Sequence, residues 1–215
     1  MIKAVVFDWN GTLIDDLRVH LLGFREALDG IRKISEEEFY MLEGMKGIEI
    51  ITRLAEGRDK KEIKHLFKIK RDYYNKHAPE IKLFPGARTL LRKLKGRGLK
   101  LGLVSGTARV NLDAGIRKKT QALFDHITTA DEVTHAKPHP EPYLRCIQDL
   151  GVKPSEAIAV ENAPLGVESA KAAGLLCIAI TTTLPPSYFK KADKVVTSLE
   201  EAGDVIESML SRKGS

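Results

Sequence analysis

Residues Ile2 to Phe7 form an apolar run broken only by Lys3, and the run stops on Asp8, with Asn10-Gly11 two residues further on. A near-continuous apolar strand is one buried on both faces, the kind that parallel sheets covered by helices contain. Asn-Gly marks a turn, so Asp8 stands at the carboxyl end of the strand. In open α/β sheets this edge gathers ligands, because loops converge there and helix N-termini aim their N–H groups into the crevice. Asp8 is therefore a candidate nucleophile or metal ligand, although Asp-x-Asn-Gly can also be a polar turn that ends a strand.

After Asp16 the pattern turns helical and stays so for about sixty residues. Leu17, Leu21, Phe24 and Leu28 mark one helix, and Ser35-Glu36-Glu37-Glu38 opens a second with a capping-box arrangement. Ile48 to Leu54 and Lys60 to Tyr74 give a third and a fourth. A crossover needs only about a dozen residues, so this longer insertion reads as a lid over the strand end that carries Asp8. From Leu83 onward helix and strand alternate, the signature of a doubly wound, Rossmann-like parallel sheet. Strands are expected at 99–104, 126–129, 157–160, 176–181 and 194–197, and a helix at 109–119. The fold class is thus α/β, with a core made of residues 1–15 and 82–215 and a four-helix cap at 16–81.

With 215 residues, 43% of them hydrophobic, the chain can bury a full core. No apolar run has the length of a membrane span and the first residues lack the pattern of a signal peptide, so a cytoplasmic protein with no membrane partner is expected. Cys146 and Cys177 are too few for a disulfide framework and read as buried thiols. The net charge is +6, but the basic residues of 58–76 alternate with acids at helical spacing. A solvated helix face explains them better than nucleic-acid binding, and a small anionic substrate needs only a few cations.

Three of these strands end, on one edge, in Asp8, Ser105 and Glu161, and Lys137 enters from a loop. Singly, Ser105 could be a helix N-cap, Lys137 an exposed lysine and Glu161 a helix-capping acid. Together they supply a nucleophilic carboxylate, a hydroxyl and N–H groups for phosphate oxygens, an ammonium, and a second carboxylate able to help hold a divalent cation. Those are the parts of phosphoryl transfer, whose catalysis is mostly positioning and charge neutralisation.

The stretches Phe7-Asp8-Trp9-Asn10-Gly11-Thr12-Leu13, Leu103-Val104-Ser105-Gly106-Thr107, Ala136-Lys137-Pro138 and Ala159 to Val167 resemble the four ordered motifs of the haloacid dehalogenase superfamily. The insertion resembles the helical cap of the branch containing phosphoglycolate phosphatase and β-phosphoglucomutase. The resemblance implies that Asp8 attacks phosphorus, that Ser105, Gly106 and Thr107 hold the phosphoryl oxygens, and that Lys137 stabilises nucleophile and phosphate. It implies Mg2+ bound by Asp8, the Asn10 carbonyl, Glu161 and Asn162, and a small phosphorylated metabolite as substrate. His20 and Lys70 fall where that branch places cap residues near the active site, and residues 44–47 are further candidates for substrate contact.

Two positions depart from the pattern. Family phosphatases commonly carry Asp at the place of Asn10, where it protonates the leaving oxygen and later activates water, and a carboxamide performs neither transfer at ordinary pH. Asp15 and His20 are candidate substitutes. Asn162 stands where a metal-binding Asp is frequent, which removes one negative charge. The expected function is a Mg2+-dependent phosphatase with weakened acid/base catalysis, against a phosphate-binding or regulatory protein without turnover. A sugar phosphomutase ranks lower, because Gly47-Ile48-Glu49-Ile50 offers no arginine for a second phosphate, and dehalogenation lower still.

Overall fold

The computed structural model describes residues 1–115 and 118–211. Strand β1 (Ala4–Asp8) is followed by the short β2 (Ile14–Asp15) and by helices α1 (Leu17–Ala27), α2 (Glu36–Leu42), α3 (Gly47–Leu54) and α4 (Lys60–His77). The chain returns through β3 (Lys82–Leu83) to α5 (Ala87–Gly96), β4 (Lys100–Val104), α6 (Arg109–Gly115), α7 (Lys118–Gln121) and β5 (His126–Thr128). It ends with α8 (Glu141–Asp149), β6 (Ala157–Glu161), α9 (Pro164–Ala172), β7 (Leu176–Ile180), β8 (Lys194–Val196) and α10 (Leu199–Ser211). The helix expected over 109–119 is present on either side of residues 116 and 117, which lie outside the described residues.

Among the described residues six strands pair in parallel in the order β5-β4-β1-β6-β7-β8. This is the doubly wound α/β sheet that the alternating pattern requires. The chain winds outward from β1 to β4 and β5, then crosses over to β6, β7 and β8. The carboxyl end of β1 therefore lies where the winding reverses, the place at which open sheets leave a crevice. Val5 and Phe7 enter one apolar cluster with Leu90, Leu91 and Leu94 of α5 and Ile206 of α10, while Ala4 and Val6 join the opposite one with Tyr143 and Ile147 of α8 and Val167 of α9. Each fully buried large apolar side chain stabilises by about 1.5–3 kcal/mol, so Val5, Val6 and Phe7 fix the strand that carries Asp8.

Helices α1 to α4 close around a third cluster in which Leu17, Leu21, Phe24 and Leu28 meet Phe39, Ile51, Leu54, Ile63 and Leu66. At α2 only half of the expected capping box forms. Ser35 Oγ accepts from Glu38 N at 3.1 Å, but the Glu38 carboxylate turns to Arg32 at 2.5 Å. Helix α4 runs three residues past the expected Tyr74, to His77. Its Lys60, Lys61, Lys64 and Lys68 are exposed, as a solvated face demands, whereas Lys70 is buried.

The antiparallel pairs Ile14↔Leu83 and Asp15↔Lys82 close the two crossings between sheet and helical insertion. At two residues each, these strands are shorter than any alternation can reveal. Cys146 and Cys177 are buried and free. Among the described residues no helix is long and apolar enough to cross a membrane.

Candidate active site

Asp8 is the last residue of β1 and lies level with Val104 of β4, so Ser105 follows at the same height on the neighbouring strand. On the other side Phe7 pairs with Val160, which brings Glu161 to the same edge. Lys137 enters from the loop before α8 and is buried there. Its Nζ donates to Asp8 Oδ1 at 2.6 Å and to Glu161 Oε1 at 2.5 Å. Tyr143 donates its hydroxyl to the same Glu161 oxygen at 2.5 Å.

Burial pushes the Asp8 carboxyl up to about 7 against the pull of Lys137, and Glu161 adds to the rise. Burial would lower the Lys137 ammonium, but Asp8 and Glu161 outweigh it and its pKa is raised. One ammonium thus stands between two buried carboxylates, leaving an excess of negative charge.

That excess faces a nest of oxygens. Glu161 Oε2 is buried with no partner, and a Cβ on Gly166 would lie 2.2 Å from it, so only glycine at 166 leaves the carboxylate room. As oriented, Asn162 Oδ1 accepts from Thr12 Oγ1 at 2.9 Å. The same oxygen lies 3.0 Å from the Asn10 carbonyl oxygen and 3.3 Å from Asp8 Oδ2, with no hydrogen between them. Turning the amide over would bring its nitrogen, with two hydrogens to donate, within reach of all three oxygens. The alternative that satisfies the present orientation is a small hard cation. Oxygens at 2.0–2.1 Å from an octahedral Mg2+ are about 3 Å apart, the spacing found here. The donor set of Asp8, Asn10 carbonyl, Glu161 and Asn162 fits such an ion, with Asn162 contributing a dipole where a carboxylate would contribute charge.

The side chain of Asn10 faces away from this nest. Its Oδ1 accepts from Ser105 Oγ at 3.0 Å and Thr107 Oγ1 at 3.3 Å, and its Nδ2 donates to Asp16 Oδ2 at 2.6 Å. Asp16 Oδ2 also accepts from Tyr74 OH at 2.9 Å and faces His20 Nε2 at 3.2 Å. The other ring nitrogen of His20 lies 2.6 Å from Lys70 Nζ, so the lysine donates to Nδ1 and Nε2–H points at Asp16. Burial, then Lys70, lowers the His20 pKa. Burial brings the Lys70 ammonium down to about 8, against Glu43 and Asp16. Its Nζ stands 5.0 Å from the Phe24 ring centroid and 5.3 Å from that of Tyr74.

Between the two sides lies a cavity of about 340 Å³. Asp8, Asn10, Gly106 and Thr107 line its floor, and His20, Glu43 to Gly47, Lys70 and Arg71 its roof.

The geometry brings Asp8, Asn10, Ser105, Gly106, Thr107, Lys137, Glu161 and Asn162 to one sheet edge and seats His20 and Lys70 above them. Asp15 is not among them. It is exposed on β2, and it is the next residue, Asp16, that turns inward and is buried. Asp16, Glu43, Tyr74 and Tyr143 are absent from the sequence reading of the site. The signal for two of them was present: Asp16 and His20 are four apart, as are Lys70 and Tyr74, so each pair shares a helix face.

A family model described as haloacid dehalogenase-like hydrolase matches residues 5–180. Protein CbbY of Rhodobacter capsulatus is 33% identical over 206 residues, covering 89% of this chain and 88% of the relative. Pyrophosphatase PpaX of Bacillus cereus is 27% identical over 209 residues, 95% of each chain. Among solved structures, an aspartate-to-asparagine variant of CbbY from Rhodobacter sphaeroides in complex with xylulose-1,5-bisphosphate superposes with a TM-score of 0.80 at 29% identity, covering 94% of this chain and 99% of that one.

Proposed function

The chain belongs to the haloacid dehalogenase-like hydrolase family, and from that premise we propose that it is a Mg2+-dependent phosphatase of small phosphate monoesters. The observation that carries the reading is the buried Lys137 ammonium, held 2.5 Å from Glu161 and 2.6 Å from Asp8, the carboxylate on the floor of a cavity about 340 Å³ in volume. A buried carboxylate beside a fixed cation, with a hydroxyl-bearing loop opposite, suits attack on a phosphorus whose oxygens need neutralising.

Asp8 forms the bond to phosphorus, and the resulting acyl phosphate is released by water. Lys137 keeps Asp8 in place and offsets charge on the phosphoryl group. Ser105 and the N–H of Gly106 accommodate its oxygens, with the Ser105 hydroxyl turning from Asn10 to the substrate. Asp8, the Asn10 carbonyl, Glu161 and Asn162 hold Mg2+, which when bound supplies charge neutralisation. The loss of one carboxylate at Asn162 predicts weak affinity for the ion. Residues 16–81 act as the lid, and Lys70 and Arg71 in its roof suit an anionic metabolite. The bisphosphate held by the CbbY variant is of this chemical class.

The Asn10 amide, unable to transfer a proton, favours one rival reading: a pocket that binds phosphate esters without turning them over. Phosphate release from 4-nitrophenyl phosphate decides between them. The phosphatase reading expects release with Mg2+, only background with EDTA, and only background in Asp8→Asn. Background under every condition, with phosphate still bound, leaves the binding reading.

A further inference from the structure

Among the described residues three carboxyl side chains line the cavity, those of Asp8, Glu43 and Asp131. Asp8 is bonded to Lys137, and Asp131 accepts from the Arg109 N–H at 3.0 Å and the Thr129 hydroxyl at 2.6 Å. The Glu43 carboxyl has no hydrogen-bond or ion-pair partner among the described residues, although the bonded Lys46, Lys70 and Lys137 all lie close by in the same roof and floor. We propose that Glu43 is the general acid and base of this site, performing from the lid the proton transfers that the Asn10 carboxamide cannot.

The backbone places it there. Gly44, at φ +102°, lies so close to Lys137 that an added Cβ would be 3.1 Å from the Cβ and Cδ of the lysine. Met45 follows with its carbonyl oxygen 3.0 Å from where a Gly106 Cβ would be. Residues 44 and 45 are thus laid across the stem of Lys137 and the Ser105–Thr107 loop. Glu43 is one Cα step, about 3.8 Å, from the first of these contacts. Asp8 approaches a bound phosphoryl group from the sheet edge, and Glu43 faces the same space from above, where the departing alcohol would lie.

Among the described residues the other acids and bases nearby are committed elsewhere. Asp16 collects donors from Asn10 and Tyr74 and is not part of the lining, and both His20 nitrogens are engaged by Asp16 and Lys70. Burial, Asp16 and Asp8 hold the Glu43 carboxyl well above its ordinary range, against Lys70 and Lys137, which favours the protonated acid.

The inference rests on the phosphatase reading and completes its proton balance. As the Asp8 oxygen bonds to phosphorus and the ester P–O bond breaks, the Glu43 carboxylic acid gives its proton to the leaving oxygen, releasing the alcohol. Glu43 carboxylate then takes a proton from the water that attacks the acyl phosphate. The P–O bond to Asp8 breaks, and inorganic phosphate leaves with Glu43 protonated again.

The test compares Glu43→Gln with the wild type on ethyl phosphate, whose alkoxide needs a proton, and on 4-nitrophenyl phosphate, whose phenolate does not. The expected result is a fall in kcat of about 10²- to 10⁴-fold on ethyl phosphate, with the 4-nitrophenolate burst within about threefold of wild type. Retention of that burst also reports an intact fold and nucleophile. A fall of less than about threefold in kcat on ethyl phosphate, or a 4-nitrophenolate burst rate that falls as far as kcat on ethyl phosphate, overturns the assignment while leaving the phosphatase reading in place. A wild-type protein silent toward both overturns the phosphatase reading and the assignment with it.

Discussion

On the core side of the cavity two carboxylates, Asp8 and Glu161, share the single ammonium of Lys137 at 2.6 and 2.5 Å, and Glu161 keeps a buried oxygen with no partner. On the lid side one carboxylate, Asp16, draws the Asn10 amide, the Tyr74 hydroxyl and the His20 ring to its Oδ2 and, like Glu161, keeps its other oxygen buried with no partner, while the Lys70 ammonium turns to a neutral imidazole and two aromatic faces. Both clusters are buried and both contain a lysine. The core cluster is short of positive charge and has room for more, whereas in the lid cluster neutral donors do most of the satisfying. The difference teaches which lysine is needed for its charge. Lys137 is, because removing it strands two buried anions; Lys70 is not, because its nearest partner carries no charge.

The largest effect should come from breaking that contrast directly. Lys137→Met leaves Asp8 and Glu161 facing each other without a cation, and loss of one partner from a buried ion pair typically costs 3–5 kcal/mol. Lys70→Met places a thioether of similar length between the Phe24 and Tyr74 rings and should cost less than about 1.5 kcal/mol. Urea unfolding of both variants measures the difference. Mg2+ should recover more stability in Lys137→Met than in wild type, because an added cation answers the deficit there. Equal losses in the two variants would mean that the lid cluster is as charge-dependent as the core.

Why one cluster was legible in the sequence and the other only in part follows from the same contrast. Asp8, Ser105 and Glu161 each terminate an apolar run, and parallel pairing carries strand ends to a common edge, so reading the strands is enough to assemble them. The lid cluster depends on which way α1 and α4 face. Helical spacing links Asp16 to His20 and Lys70 to Tyr74, but nothing in either helix says that the two faces meet, and the choice of Asp15 over Asp16 fails for that reason. The chain reverses face at β2, a strand of only two residues. Glu43 was invisible for a different cause: its place follows from close backbone approaches at Gly44 and Met45 that are settled only when the lid packs down.

A smaller effect sharpens the lid half of the comparison. Tyr74→Phe removes one donor from buried Asp16 while keeping the ring beside Lys70 and His20. Loss of a hydrogen bond to a buried charged group should cost about 1–3 kcal/mol. If neutral donors indeed carry this cluster, the loss appears in thermal unfolding with little change in Mg2+ binding, which belongs to the other side. A fall in Mg2+ affinity of more than a few-fold would show the two clusters to be coupled through Asn10, the residue common to both.

The smallest effect concerns how the core's single ammonium is delivered. Lys137 lies on a loop whose outer end is pinned by Glu141, which accepts from Thr134 N at 2.6 Å, His135 N at 2.9 Å and His135 Nδ1 at 2.8 Å. These donors bring the Glu141 carboxyl down to about 2 from 4.5. A folded-state pKa below the unfolded one means stabilisation that is complete above about pH 4.5 and lost as pH falls through about 2. Glu141→Gln keeps one acceptor oxygen and loses the charge, so its melting temperature should fall below that of wild type at pH 7 and the gap should close between pH 4.5 and pH 2. Since Lys137 is held at its tip by two buried carboxylates, the variant should keep most of its phosphate release at pH 7. If turnover falls as far as in Lys137→Met, the ammonium is placed by the exposed loop and not by the anions it joins.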